Sequence, residues 1–117
     1  MISKHELPIK LAKESLDTGL VKFPGKISIN RSGTQIAISD TGNHRVLLIN
    51  DEGIVIAKVG TGAAGLLDGA YAQAQFNAPQ GLCWDGDEFL FVADTENHSI
   101  RKVCLVSQPA KTLKSNL

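Results

Sequence analysis

The residues best placed for chemistry are two acid–imidazole pairs, Asp40 with His44 and Asp94 with His98. Carboxylate and imidazole are both zinc ligands, and on a helix the four-residue spacing would aim both from one face. Each pair supplies two ligands, however, where a closed zinc site needs about four. The local sequence is Asp-Thr-x-Asn-His both times, a string of turn formers. Asp and Asn side chains accept hydrogen bonds from nearby backbone N–H groups, and Asn and Gly tolerate left-handed conformations. The expectation is therefore a structural turn motif built from Asp40, Asn43, His44, Asp94, Asn97 and His98, with the imidazoles packed over the turn and no metal.

A second candidate is Gly60-x-Gly62-x-x-Gly65, which follows an apolar run over 54–59 and precedes Asp85. That is the outline of a dinucleotide-binding fingerprint. The helix it would require, over 66–77, contains Asp68-Gly69 near its start, where glycine costs about 1 kcal/mol against alanine. A glycine-rich crossing, with 70–75 as one helical turn, fits better, and no cofactor is expected. Neither Cys83 nor Cys104 has a CxxC neighbour. They fall on strands with another strand between, about 9.5 Å apart, beyond the roughly 4.4–6.8 Å of a disulfide. Free thiols are expected, Cys83 buried as a small hydrophobe. No Ser or Cys nucleophile has an identifiable base, so no catalytic residues are assigned. Trp84, Phe89 and Phe91 are expected to pack between sheets. Arg45 and Arg101 are candidates for partner contact, against the plainer reading of a solvated face.

These residues are positioned by a repeat. Residues 40–46 recur as 94–100, an offset of 54, and Pro24 recurs as Pro79, an offset of 55. The one-residue difference falls in turns, where loop length is cheap to alter. Within the first copy, strands are expected over 26–29, 34–39, 45–50 and 54–59, joined by tight turns into an antiparallel meander. The second copy supplies 81–84, 88–93 and 99–106; Ser107-Gln108-Pro109 then breaks the pattern. Four-strand units of this size are propeller blades. The fold class is all-β, a partial propeller of about one complete blade plus most of a second. Its divisions are a lead-in over 1–22, repeats over 23–60 and 76–106, a glycine-rich inter-blade segment over 61–75, and a disordered tail over 107–117.

Composition narrows the partners. Hydrophobic residues make up 43% and charged residues 21%, which argues against wholesale disorder. Twelve basic and twelve acidic residues give zero net charge, removing the bulk electrostatic case for nucleic acid or an anionic membrane. Lys102, Lys111 and Lys114 could form a local basic patch, but a solvated tail is the simpler reading. No apolar run reaches the ~20 residues of a membrane span. Two cysteines are too few for a secreted disulfide framework, so the cytoplasm is the default compartment.

Pro24-Gly25 and Pro79-Gln80-Gly81 before a strand, Ala-x-Ser-Asp or Val-Ala-Asp at a strand end, and Asp-Thr-x-Asn-His together resemble NHL repeats. The Asn-His pair is present twice; the position after it is Arg45 in one copy and Ser99 in the other. The segment from Gly60 through Leu67-Asp68-Gly69 to Pro79, and Leu7-Pro8-Ile9-Lys10-Leu11, resemble family members whose propeller lies between a thioredoxin-like and a C-terminal β-domain. The resemblance covers roughly residues 5–106. It implies a non-catalytic protein-interaction or scaffold module with an unidentified protein partner. Two rival readings are a fragment of a metal-dependent propeller hydrolase or lyase, and an RNA-binding surface. Such propellers close with about six blades, so the chain is expected to be a fragment that needs further blades for a stable fold.

Overall fold

The computed structural model describes residues 21–106 and 109–113. The first blade is a four-stranded antiparallel sheet in sequence order: β1 (Ile27–Ile29), β2 (Gln35–Asp40), β3 (Arg45–Asn50) and β4 (Val55–Val59). Asparagine side chains close its turns by substituting for backbone acceptors. Asn30 Oδ1 accepts the Thr34 and Gln35 N–H groups at 2.9 and 3.0 Å. Asn50 Oδ1 accepts those of Glu52 and Ile54 at 3.0 and 2.9 Å.

The second blade is a five-stranded sheet in the order β5-β9-β8-β7-β6. Its members are β5 (Gly69–Ala70), β6 (Pro79–Asp85), β7 (Phe89–Asp94), β8 (Ser99–Cys104) and β9 (Pro109–Thr112). The sequence-based expectation of three strands and a disordered tail from 107 onward is corrected here. Pro-Ala-Lys-Thr shows no alternation of its own, and pairing on both sides makes it a strand. Ala110 lies opposite Val103 on one flank and Gly69 on the other, and it is fully buried. Most of the lead-in, and Lys114 with the rest of the tail, lie outside the described residues.

Strand alternation divides each blade into two faces. Ala37, Val46, Leu48 and Val59 of the first blade pack against Leu82, Leu90, Val92 and Val103 of the second, with Tyr71, Ala74 and Phe76 filling the gap. Each such large apolar side chain contributes about 1.5–3 kcal/mol on burial. Ile36, Ile38, Leu47 and Ile49 form a separate cluster on the first blade's other face, with Val21 and Val55 against it.

The alternation corrects three further expectations. Cys83 falls between Leu82 and Trp84, so it points away from the first blade and is exposed rather than buried. Phe89 and Phe91 lie on that same outward side and are half-buried; Trp84 alone of the three aromatics packs at the seam. Both thiols are free. Lys102 stands 4.1 Å over the Phe89 ring and pairs in register with Lys111.

The glycine-rich crossing makes one helical turn, with the Ala74 N–H donating to the Ala70 carbonyl at 2.8 Å. No helix follows Gly65 of the kind a dinucleotide fingerprint requires. Gly60 is needed where it stands: its φ is 113°, and a Cβ there would lie 3.1 Å from both His44 O and Phe76 Cδ1. No helix among the described residues is long and apolar enough to cross a membrane.

Candidate functional site

The two Asp-Thr-x-Asn-His motifs fold into near-duplicate clasps. In each, the Asp ends a strand and the next three residues form a 3-10 turn, Thr41–Asn43 or Thr95–Asn97. The His closing the turn is left-handed, with φ of 54° at His44 and 51° at His98. Its N–H donates back to the Thr carbonyl, at 3.2 and 3.1 Å. Asp40 Oδ1 accepts the Lys22 N–H at 2.7 Å, and the Gly42 N–H returns to the Lys22 carbonyl at 2.8 Å. Asp94 does the same with Asn77, at 2.7 Å, with the Glu96 N–H returning at 3.1 Å. The motif thus holds the segment that leads into its own blade. Phe23 and Ala78, just before the two prolines, carry matched positive φ of 49° and 53°. Left-handed backbone in such residues costs about 1–2 kcal/mol, offset here by the clasp.

The second carboxylate oxygen of each Asp accepts an asparagine and an arginine. Asn43 Nδ2 donates to Asp40 Oδ2 at 3.0 Å and Asn97 Nδ2 to Asp94 Oδ2 at 2.7 Å. The asparagines serve the carboxylates as donors, a role the turn reading had not given them. The arginines arrive from different repeat positions. Arg45 Nε reaches Asp40 at 2.8 Å, with its side chain 16% exposed. At the second clasp its counterpart is Ser99, and Arg101 supplies the charge from a place that Leu47 fills in the first blade.

Arg101 is fully buried, so the expected partner contact does not hold for it. Its Nη1 donates to Asp94 and the Gln75 carbonyl, and its Nη2 to the Leu67 carbonyl and Asp68, at 2.7–3.0 Å. The guanidinium lies 4.5 Å from the Phe76 ring centroid, while Nε has no hydrogen-bond partner. Arg101 therefore ties β8 to the clasp and to the inter-blade crossing. Its signal lay in the repeat: an offset of 54 places Arg101 on core residue Leu47.

Burial works to raise the Asp68 carboxyl, but hydrogen bonds from the Thr112 main chain and hydroxyl, with Arg101, outweigh it and hold it below the ordinary value. Burial, with the Cys104 thiol second, pushes the Tyr71 phenol up to about 12. The phenol donates to the Cys104 carbonyl at 3.0 Å.

Between the blades the motif residues act again. His44 Nδ1 accepts the Ala78 N–H at 3.0 Å, which puts the proton of the neutral ring on Nε2. Thr41 Oγ1 donates to the Pro79 carbonyl at 2.6 Å and Ser39 Oγ to that of Gln80 at 2.7 Å. Trp84 Nε1 donates to the Ser28 carbonyl at 3.0 Å. Ser39, Thr41 and Ala78 were not singled out from sequence.

At the opposite end of the strands the turns of the two blades meet. The Ser32 N–H donates to Asp87 Oδ1 at 2.9 Å, beside an open cavity of about 380 Å³ lined by Arg31, Asp85, Gly86, Asp87, Glu88 and Phe89. Among the described residues there is no group of three or more His, Cys, Asp or Glu that could hold a metal ion.

The NHL repeat family model matches residues 76–103. NHL repeat-containing protein 2 of Gallus gallus is 40% identical over 89% of the chain and 14% of its own length. The Bos taurus protein of the same name is 37% identical over 96% of the chain and 15% of its length. The chain thus spans about a seventh of these relatives. An auxiliary nutrient binding protein from Bacteroides thetaiotaomicron shares the fold, with a TM-score of 0.61 and 20% identity over 76% of this chain and 25% of that one. The family match falls on the second clasp, the first blade repeats its geometry, and the chain belongs to the NHL-repeat β-propeller family.

Proposed function

We propose that the chain is a non-catalytic protein-interaction module, a section of an NHL propeller that further blades complete. One observation carries the reading. The carboxylates that could have done chemistry, Asp40 and Asp94, each accept hydrogen bonds from a backbone N–H, an asparagine and an arginine of their own blade. Asp40, Asn43, His44, Asp94, Asn97 and His98 are in this reading fold clasps, and the surface left for function is the loops. The loop end with Asp85, Asp87 and Glu88 is acidic and suits a basic segment of a protein partner. Arg45, unlike Arg101, keeps some exposure and stays a candidate contact. Free thiols fit a reducing compartment such as the cytoplasm.

A photocrosslinking residue placed at Glu88, with a control at exposed Ile56 on β4, tests the reading in cells. Expected is a discrete protein adduct at Glu88, none at Ile56, and loss of the adduct on combining Asp85→Lys with Asp87→Lys. Stoichiometric zinc or calcium removed by Asp40→Asn or Asp94→Asn would establish the enzyme reading instead. A salt-sensitive RNA shift would establish nucleic-acid binding.

A further inference from the structure

Two Asp-Gly steps occur in the sequence, Asp68-Gly69 and Asp85-Gly86. In such a step the second residue has no Cβ to keep its nitrogen from the carboxyl carbon of the first. Ring closure between them needs three things more: a carboxyl free to turn, an unengaged amide N–H, and backbone with room to move. The fold withholds these from one step and leaves them to the other. Asp68 Oδ1 accepts Arg101 Nη2 at 3.0 Å and Thr112 Oγ1 at 2.8 Å, and Gly69 is paired with Ala110 in the sheet. Asp85 is exposed at the end of β6, and neither its carboxylate nor the Gly86 N–H has a partner among the described residues. Gly86 has a φ of 64°, and apart from its chain neighbours nothing lies within 4 Å of the place a Cβ would take. Both residues line the open loop-end cavity of about 380 Å³, which admits water to them.

We propose that Asp85-Gly86 is a site of spontaneous modification, where the aspartate isomerises to isoaspartate in the folded chain and loosens the loop-end contact between the blades. The Gly86 nitrogen attacks Cγ of the protonated Asp85 carboxyl. A C–N bond forms, a carboxyl C–O bond breaks, and the hydroxyl leaves with the amide proton as water. Water then adds to the succinimide at the former main-chain carbonyl of Asp85 and cleaves its bond to the Gly86 nitrogen. The chain now runs through Cβ and Cγ, and the former main-chain carbon carries the free carboxylate. The water released is matched by the water consumed, and nothing is oxidised or reduced. The backbone is longer by one carbon just before Gly86, whose carbonyl accepts the Arg31 N–H at 3.3 Å. The next residue, Asp87, accepts the Ser32 N–H at 2.9 Å. Both contacts join the blades, and the added carbon displaces their acceptors. The His44–Ala78 and Thr41–Pro79 contacts lie at the other end of the strands and are left intact. This goes beyond the partner reading above and does not depend on it.

The test ages the full chain at neutral pH and physiological temperature for several weeks, both folded and in urea. Peptides are then mapped with an isoaspartyl carboxyl methyltransferase and labelled S-adenosylmethionine as probe. In the folded chain isoaspartate is expected at Asp85, with Asp68 converting about tenfold more slowly. In urea the two steps should convert at similar rates, because only the fold protects Asp68. Asp85→Glu alters an exposed, unpaired carboxylate and closes only a slower six-membered ring, so it should remove the signal at that position. In the isomerised fraction, hydrogen exchange should quicken at the Arg31 and Ser32 amides and stay unchanged at Ala78. Absence of isoaspartate at Asp85 in the folded chain, or Asp68 converting there as fast, overturns the proposal. So does a difference between the two steps that persists in urea, or unchanged exchange at Arg31 and Ser32.

Discussion

Arg101 shows how a charge is tolerated in the core of a blade. It and Asp94 are fully buried, and either alone would be an uncompensated charge in a medium that solvates it poorly. Arg101→Leu installs the side chain found at the equivalent place in the first blade, yet it strands Asp94. Expected is a loss of about 3–5 kcal/mol, read by denaturant unfolding with Trp84, the one tryptophan, as probe. Adding Ser99→Arg should restore part of it, since Arg45 reaches Asp40 from that position. Tyr71 is also the only tyrosine, so ultraviolet titration reads it directly. Its folded pKa is raised from 10.0 to about 12. The stabilisation this implies is full below pH 10.0 and is lost as pH rises through about 12. Tyrosinate absorbance should therefore appear near pH 12 in the native chain and near 10 in denaturant; a native midpoint at 10 would contradict the burial of the phenol. At this scale the motif letters were legible, but their partners were not. Sequence shows which residues make good turns, whereas the Lys22 and Asn77 N–H groups, 18 and 17 residues away, are brought to the aspartates by the fold.

Strands with alternation of their own were readable, and those made by their neighbours were not. The span of β3 over 45–50 matches its expected limits, because Val46 and Leu48 on one face and Leu47 and Ile49 on the other leave no ambiguity about phase. Residues 109–112 carry too little apolar pattern to announce a strand, and β5 is two residues long. β9 pairs with β8 on one side and β5 on the other, and β5 is held by β9 alone, with Thr112 Oγ1 on Asp68 Oδ1 at 2.8 Å. The sheet edge near a proline-led tail is thus structural. Ala110→Glu buries a carboxylate between β5 and β8 and is expected to destabilise by about 3 kcal/mol or more. Lys111→Glu on the same strand, exposed, should change stability by less than about 0.5 kcal/mol. Equal effects in urea unfolding would mean that β9 is not docked.

For the molecule as a whole, the internal repeat decided the architecture and then misled on burial. Periodicity marks two faces per blade as apolar, but with two blades only one seam lies between them. Cys83, Phe91 and Ile100 satisfy the pattern and still meet no second sheet, and this could be read only from the order of the blades.

The clasps also set an order of assembly. Each ties residues 17 or 18 apart, Lys22 to Asp40 and Asn77 to Asp94, so each clasp can close soon after the strand that carries its aspartate, β2 or β7, leaves the ribosome. Asp68 and β5 must wait, because Arg101 lies 33 residues on and Thr112 lies 44. Among the described strands Gly69–Ala70 waits longest for its partner, and β9 is the strand that supplies it.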